Sequence, residues 1–169
     1  MEEAELLAGS SKLGRVVHTD PDIGSLFARE REPMLAVASL IVGGPALAEE
    51  AVQEAFASVH QRWTSIENPG GYLRTCVINN ARRIARRRGV ETRVLAADNT
   101  PQQSVEVPTE LLELRDALGR LSANQRCAVV LRYFLDLSDD EIGRELGCRP
   151  STVRSHLRRA LSRLRKELE

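Results

Sequence analysis

The side chains in this sequence that could do chemistry are basic and hydroxyl groups arranged for holding anions. Five arginines crowd between Arg82 and Arg88, and a second basic run extends from Arg149 to Lys166 with no acid from Gly147 to Lys166. Arginines at a helix end are partly explained by the helix dipole. Five exceed what capping needs and repel one another unless an anion is bound. In the second run Ser151, Thr152 and Ser155 can bond phosphates or bases, and Arg154, Arg158 and Arg159 can reach guanine edges or phosphates. Ahead of the first run, Thr75, Asn79, Arg82 and Arg86 fall at i, i+4, i+7 and i+11 on one side of a helix, with Arg83 and Arg87 beside them. This is the chemistry of nucleic-acid recognition, with no bond-making step.

Bond-making finds no residues. There is no nucleophile–base pair, and the glycine pairs Gly43-Gly44 and Gly70-Gly71 read as helix breakers or starts rather than a phosphate loop. Cys76, Cys127 and Cys148 are far apart, and His18, His60 and His156 supply no paired spacing, so neither a metal nor a cofactor is expected. Three scattered cysteines fit reduced thiols in a reducing compartment. With no signal-peptide pattern and no apolar run near membrane length, the chain reads as cytoplasmic and without a membrane partner.

Across 169 residues the formal net charge is zero, which hides a strong sorting of sign. Acids concentrate in Glu49–Glu54 and Asp136–Glu145, opposite in character to the two basic runs. Such segregation fits a protein with one acidic and one basic partner.

The elements that must position these groups are helical throughout. Residues 1–21 lack periodicity and read as a flexible extension. A helical pattern starts near Asp22 with Phe27, Met34, Leu35, Ala38, Ile41 and Val42 as its apolar set, and Pro33 should kink or divide it. Ala46–Trp63 carries apolar residues on one side and Glu49, Glu50, Gln53 and Glu54 on the other, which the residues alone describe as a solvated acidic face. Asn68-Pro69 caps and starts the arginine-bearing helix. Residues 89–108 lose periodicity and read as a linker. Beyond it Ser122 and Gln125, then Ser138 and Glu141, have capping-box spacing. Gly147 should end the short acidic helix in left-handed geometry, and Pro150 should open a long helix with Val153, Leu157, Ala160, Leu161, Leu164 and Leu168 as its apolar stripe. That is a helix-turn-helix, and no strand pattern competes with it. The fold class expected is all-α: two small helical domains, 22–88 and 109–169, joined by a flexible linker at 89–108.

Three segments in order, Ala48–Phe56, Tyr72–Arg88 and Leu121–Arg165, resemble the sigma-70 family of RNA polymerase sigma factors, in the small extracytoplasmic-function (ECF) group. The resemblance covers nearly everything from Leu26 to Leu168. It implies a protein without catalysis of its own that binds RNA polymerase core, through the largest-subunit clamp and the flap region, and promoter DNA. It implies that Glu49, Glu50, Gln53 and Glu54 contact the polymerase. Trp63, Asn68, Tyr72, Thr75, Asn79, Arg82, Arg83, Arg86 and Arg87 would then engage the −10 element. Arg149, Ser151, Thr152, Arg154, Ser155, Arg158 and Arg159 would read the −35 element. Since the group is often held by an anti-sigma protein, such a partner is implied as well. The alternative is a stand-alone helix-turn-helix regulator that needs no polymerase.

In the polymerase-facing helix Glu50 and Ala51 stand where Asp and Leu are frequent, which keeps the charge and trims apolar packing, and two further positions in the helix-turn-helix depart from the family pattern. Arg149 stands where a capping Ser or Asn is usual, opposing the helix dipole by several tenths of a kcal/mol, which predicts a phosphate contact. Gly143 replaces a common alanine at a cost of about 1 kcal/mol in helix propensity.

Overall fold

A computed structural model describes residues 22–94 and 109–168. The extension 1–21 and most of the expected linker, 95–108, lie outside them. The described residues form α1 (Ile23–Val42), α2 (Pro45–Gln61), a 3-10 turn (Trp63–Ser65), α3 (Pro69–Val94), α4 (Thr109–Gly119), α5 (Ala123–Tyr133), α6 (Asp139–Leu146) and α7 (Pro150–Leu168). No strand occurs among them, as the periodicity predicts.

Local chemistry explains where most of these helices begin and end. Asp22 caps α1, its carboxylate accepting from the Ser25 N–H at 2.7 Å. Asn68 does the same for α3 through the Gly71 N–H at 2.9 Å. Complete capping boxes start α5 at Ser122 and Gln125 and α6 at Ser138 and Glu141. Gly43 and Gly147 end α1 and α6 at φ of 85° and 66°, a region that costs a residue with a Cβ about 1–2 kcal/mol.

Helices α1, α2 and α3 bury Leu26, Val37, Ile41, Val52, Val59, Leu73, Val77 and Ile78 completely. The same apolar cluster continues without a break into Cys127 and Leu131 of α5, Ile142 of α6 and Val153 of α7. A smaller cluster of Leu118, Leu121, Val129, Ala160 and Leu164 ties α4 and α5 to α7. The two helical groups therefore pack on each other through a shared interior.

Several expectations are corrected. α1 runs unbroken through Pro33, whose ring is exposed. Leu26 before it and Met34 and Val37 after it drop into one core, which holds both halves on one axis. Phe27 is 45% exposed, although its ring stacks tilted on Phe56 at 4.9 Å. Tyr133, Phe134 and Leu161 are also exposed, because α5 is already covered along Cys127–Leu131 and α7 along Val153, Ala160 and Leu164. α3 continues past Gly89 to Val94, into the stretch read as linker. Gly143 is a steric requirement rather than a weakness. A Cβ there would lie 2.7 Å from the Cys148 carbonyl oxygen, and the Cys148 N–H bonds back to the Gly143 carbonyl at 2.9 Å. The turn between α6 and α7 is too tight for a methyl group.

Candidate nucleic-acid interface

Two helices carry the basic candidates. In α7, Val153, Ala160 and Leu164 face the core, which turns Ser151, Thr152, Arg154, Arg158 and Arg159 to solvent. Ser155 is half-buried and its hydroxyl donates to the Ser151 carbonyl at 3.1 Å, leaving its lone pairs outward. Arg149 stands at the cap position by its backbone, its carbonyl accepting from Thr152 and Val153 at 2.9 and 3.1 Å. The Arg149 side chain is exposed, with no ion-pair or hydrogen-bond partner among the described residues. His156 is half-buried. Burial, helped by nearby Arg159, holds its pKa below the ordinary value and favours the neutral ring.

One carboxylate braces this unit. Asp139, the first residue of α6, accepts from Arg132 of α5 on one oxygen and from Arg154 of α7 on the other, the latter at 3.3 Å. Among Arg149, Arg154, Arg158 and Arg159, only Arg154 has an acid partner within the described residues.

The polar side of α3 is largely engaged by the C-terminal helices. Thr75 donates to Glu145 at 3.3 Å, and Arg82 donates to the Leu146 carbonyl at 2.8 Å. Arg86 donates to the Asn124 amide oxygen at 3.0 Å. Glu145 also lies 3.6 Å from Arg74, yet Arg74 Nε and the second Glu145 oxygen are buried without a hydrogen-bond partner. Arg83 pairs instead with Glu54 of α2. Asn79 and Arg87 stay exposed, Trp63 and Tyr72 pack half-buried against the core, and Asn68 is spent as the α3 cap.

On α2 the four acidic-face candidates are not equivalent. Glu49 accepts from Arg31 at 2.8 Å and from Gln53 at 3.3 Å, and the Arg31 hydrogen bond holds its carboxyl below the usual range. Glu54 is paired with Arg83. Glu50 is exposed without a partner among the described residues.

Arg126, Glu145, Asn124 and Asp139 are absent from the candidates drawn from sequence. Their importance rests on contacts across 15 to 85 residues, which no periodicity encodes. For Asp139 the sole local sign is that it follows the Ser138 cap, which puts it at a helix start. Among the described residues no group of three metal-ligating side chains occurs, and no helix is long and apolar enough to cross a membrane.

Comparison with known proteins places these helices in context. The family description "Sigma-70 region 2" matches residues 26–90, and "Sigma-70, region 4" matches residues 111–164. The RNA polymerase sigma-E factor of Streptomyces coelicolor is 34% identical over 150 residues, spanning 84% of each chain. The ECF RNA polymerase sigma factor SigL of Mycobacterium tuberculosis is 30% identical over 139 residues, 76% of this chain and 78% of that one. Among solved structures, the sigma factor RpoE from Bartonella quintana, crystallised with the anti-sigma factor NepR, superposes with a TM-score of 0.66. That match has 25% identity and covers 87% of this chain and 96% of RpoE.

Proposed function

The chain belongs to the sigma-70 family of RNA polymerase sigma factors, in the extracytoplasmic-function group, and on that premise we propose how its parts divide the work of promoter recognition. Region 2, from 22 to 88, binds polymerase core and the −10 element, and region 4, from 109 to 169, reads the −35 element. The polymerase supplies the chemistry, and the chain acts with it in the cytoplasm. The observation that carries this reading is the coincidence of the two matched regions with the two arginine-bearing helices, α3 and α7. A stand-alone regulator would have no use for a region 2 spanning residues 26–90.

In α7 the exposed Ser151, Thr152, Arg154, Ser155, Arg158 and Arg159 meet the major groove, and Arg149 meets a phosphate at its entrance. In region 2, Asn79, Arg83 and Arg87 join Thr75, Arg82 and Arg86 on the opened −10 strand, with Trp63, Asn68 and Tyr72 bordering it. On α2, Glu50 is the acid with no competing partner, so it leads the polymerase contact ahead of Glu49, Gln53 and Glu54. An anti-sigma protein is a further partner, supported by the complex in which the Bartonella relative was solved.

Promoter reading requires the described arrangement to open. By their names the two elements lie about 25 base pairs apart, on the order of 80 Å at ~3.4 Å per base pair. With packed helices about 8–10 Å apart, α3 and α7 stand within roughly 20 Å of each other across α6. Thr75, Arg82 and Arg86 are also held by region 4 residues. The closed form is the resting state, and binding to polymerase and promoter parts the two regions.

Run-off transcription with purified core polymerase on a promoter library tests the assignment. Core-dependent initiation from a defined subset of promoters is the expected result, and no initiation on any promoter overturns it.

A further inference from the structure

The brace at Asp139 separates one arginine of α7 from the other candidate arginines of the helix and its cap. Arg149, Arg158 and Arg159 stand out in solvent with no acid beside them, the condition that suits an arginine for phosphate. Arg154 does not share that condition. Its Nη1 is 3.3 Å from Asp139 Oδ2, while Asp139 Oδ1 is occupied by Arg132. A carboxylate next to a guanidinium repels the phosphate that the guanidinium would otherwise attract. It leaves the uncharged edge of a base as the better partner.

Geometry favours the same assignment. A guanidinium carries five N–H donors in a planar fork, and the single contact at Nη1 leaves the rest of the fork for a second acceptor. Bidentate recognition of guanine O6 and N7 uses two of these donors. A free arginine must also give up rotamer freedom on binding. One that is already held gives up less. Asp139 is itself fixed, at the first position of a helix with a complete capping box and against Arg132, so it can hold Arg154 without adapting to it.

We infer that Asp139 is a positioning residue for −35 specificity: it fixes Arg154 for base-edge readout and withholds it from phosphate. This rests on α7 reading the −35 element, as proposed above. Charge then sorts the basic residues of α7 and its cap, with Arg154 specifying and Arg149, Arg158 and Arg159 anchoring.

The test uses holoenzyme assembled from the full chain and core polymerase. Run-off transcription is measured on an intact −35 element and on each single base-pair replacement, and binding is measured to DNA without a promoter. The chains are wild type, D139A, D139N, R132Q, R154A and D139A/R154A, with thermal unfolding of each free chain as the folding control. R154A should flatten preference at one base pair by about 5- to 100-fold. D139A should flatten the same base pair by about threefold or more, with D139N and R132Q intermediate. D139A should also bind promoter-free DNA more tightly, since a negative charge has left the interface. In the double variant, loss of Asp139 should add nothing to loss of Arg154. A residue that merely braced the fold would lower transcription from every template in step with its melting temperature, and that outcome overturns the inference. So does unchanged base preference in D139A and R132Q while R154A loses it, which leaves the assignment of α7 standing. If R154A itself keeps full base preference, the assignment of Arg154 as a reader falls and the inference falls with it.

Discussion

Arg126 Nη1 donates to the backbone carbonyl of Ile41 at 2.6 Å, joining residues 85 apart in the chain. The rest of the same guanidinium donates to the carbonyls of Leu118, Gly119 and Leu121 at 2.8, 2.9 and 3.2 Å. One cation thus closes the C-terminal ends of α1 and α4, where unpaired carbonyls and the negative end of the helix dipole accumulate. Arg88 adds a bond to the neighbouring Val42 carbonyl at 3.3 Å. Region 2 and region 4 are joined at this point by the orphan carbonyls of their own helices.

Replacing Arg126 strands those carbonyls. R126A should lower the stability of the free chain by about 2–3 kcal/mol, because charged hydrogen bonds are lost and their acceptors stay partly buried. Urea unfolding measures this. An unchanged midpoint would show that the carbonyls are satisfied by water instead.

The contact at Glu145 is weaker by construction. Its carboxylate bonds Thr75 and faces Arg74 at 3.6 Å, with one buried oxygen unsatisfied. A half-satisfied buried pair returns little of its desolvation cost, which makes this a contact poised to open. E145A should therefore release Thr75 and raise the affinity of the free chain for a single-stranded −10 probe. An increase of about three- to tenfold corresponds to roughly one lost hydrogen bond. Fluorescence anisotropy reads it, and equal affinity of wild type and variant would count against closure masking α3.

Cys127 reports on the same opening. Burial pushes its thiol up to about 12, with Arg82 and Arg86 of α3 close enough to oppose the shift. With Cys76 and Cys148 replaced by serine, iodoacetamide at about pH 8 should leave Cys127 of the free chain unmodified, since the thiolate is the nucleophile. Adding core polymerase and promoter should accelerate the reaction at least tenfold. Protection that persists in the open complex would mean that the two regions stay joined.

The helix-turn-helix has a single-atom tolerance at Gly143. G143A should cost about 1–3 kcal/mol, an overpacking penalty well beyond the small gain in helix propensity that alanine offers. Thermal unfolding is the measurement, and a rise in melting temperature would show that the turn can give way.

Acid should loosen the start of α6. Hydrogen bonds from Ser138, backbone first and hydroxyl second, hold the Glu141 carboxyl below its ordinary 4.5. The folded state thus binds fewer protons than the unfolded one there. The contribution of Glu141 is complete above 4.5 and is lost as pH falls from that value through the lower folded pKa. E141Q should be less stable than wild type at neutral pH, and the gap should close on acidification below about pH 4. A gap of constant size across that range would place the effect elsewhere.

Caps, helix ends and apolar stripes were legible in the sequence because each is decided within a few residues. Ser122 with Gln125, Ser138 with Glu141, and Gly147 act through neighbours three or four positions away. The apolar stripe of α7 likewise fixes which face its arginines present. The same local rules failed at Pro33, where packing on both sides outweighs one missing hydrogen bond, and at Gly143, where the next helix sets the limit.

The sequence by itself determined that this is a helical chain with two basic helices and an acidic face, because periodicity and charge are properties of the chain alone. Only the tertiary structure decided which of those charges are free. Arg82 and Arg86 look like their neighbour Arg87 in sequence, yet two are hydrogen-bonded by region 4 and Arg87 has no partner among the described residues. Arg154 looks like Arg158, yet only Arg154 meets a carboxylate. Side-chain hydrogen bonds reach only about 3 Å. Whether one forms depends on where folding brings residues that lie 15 to 85 positions apart, and no local pattern carries that information.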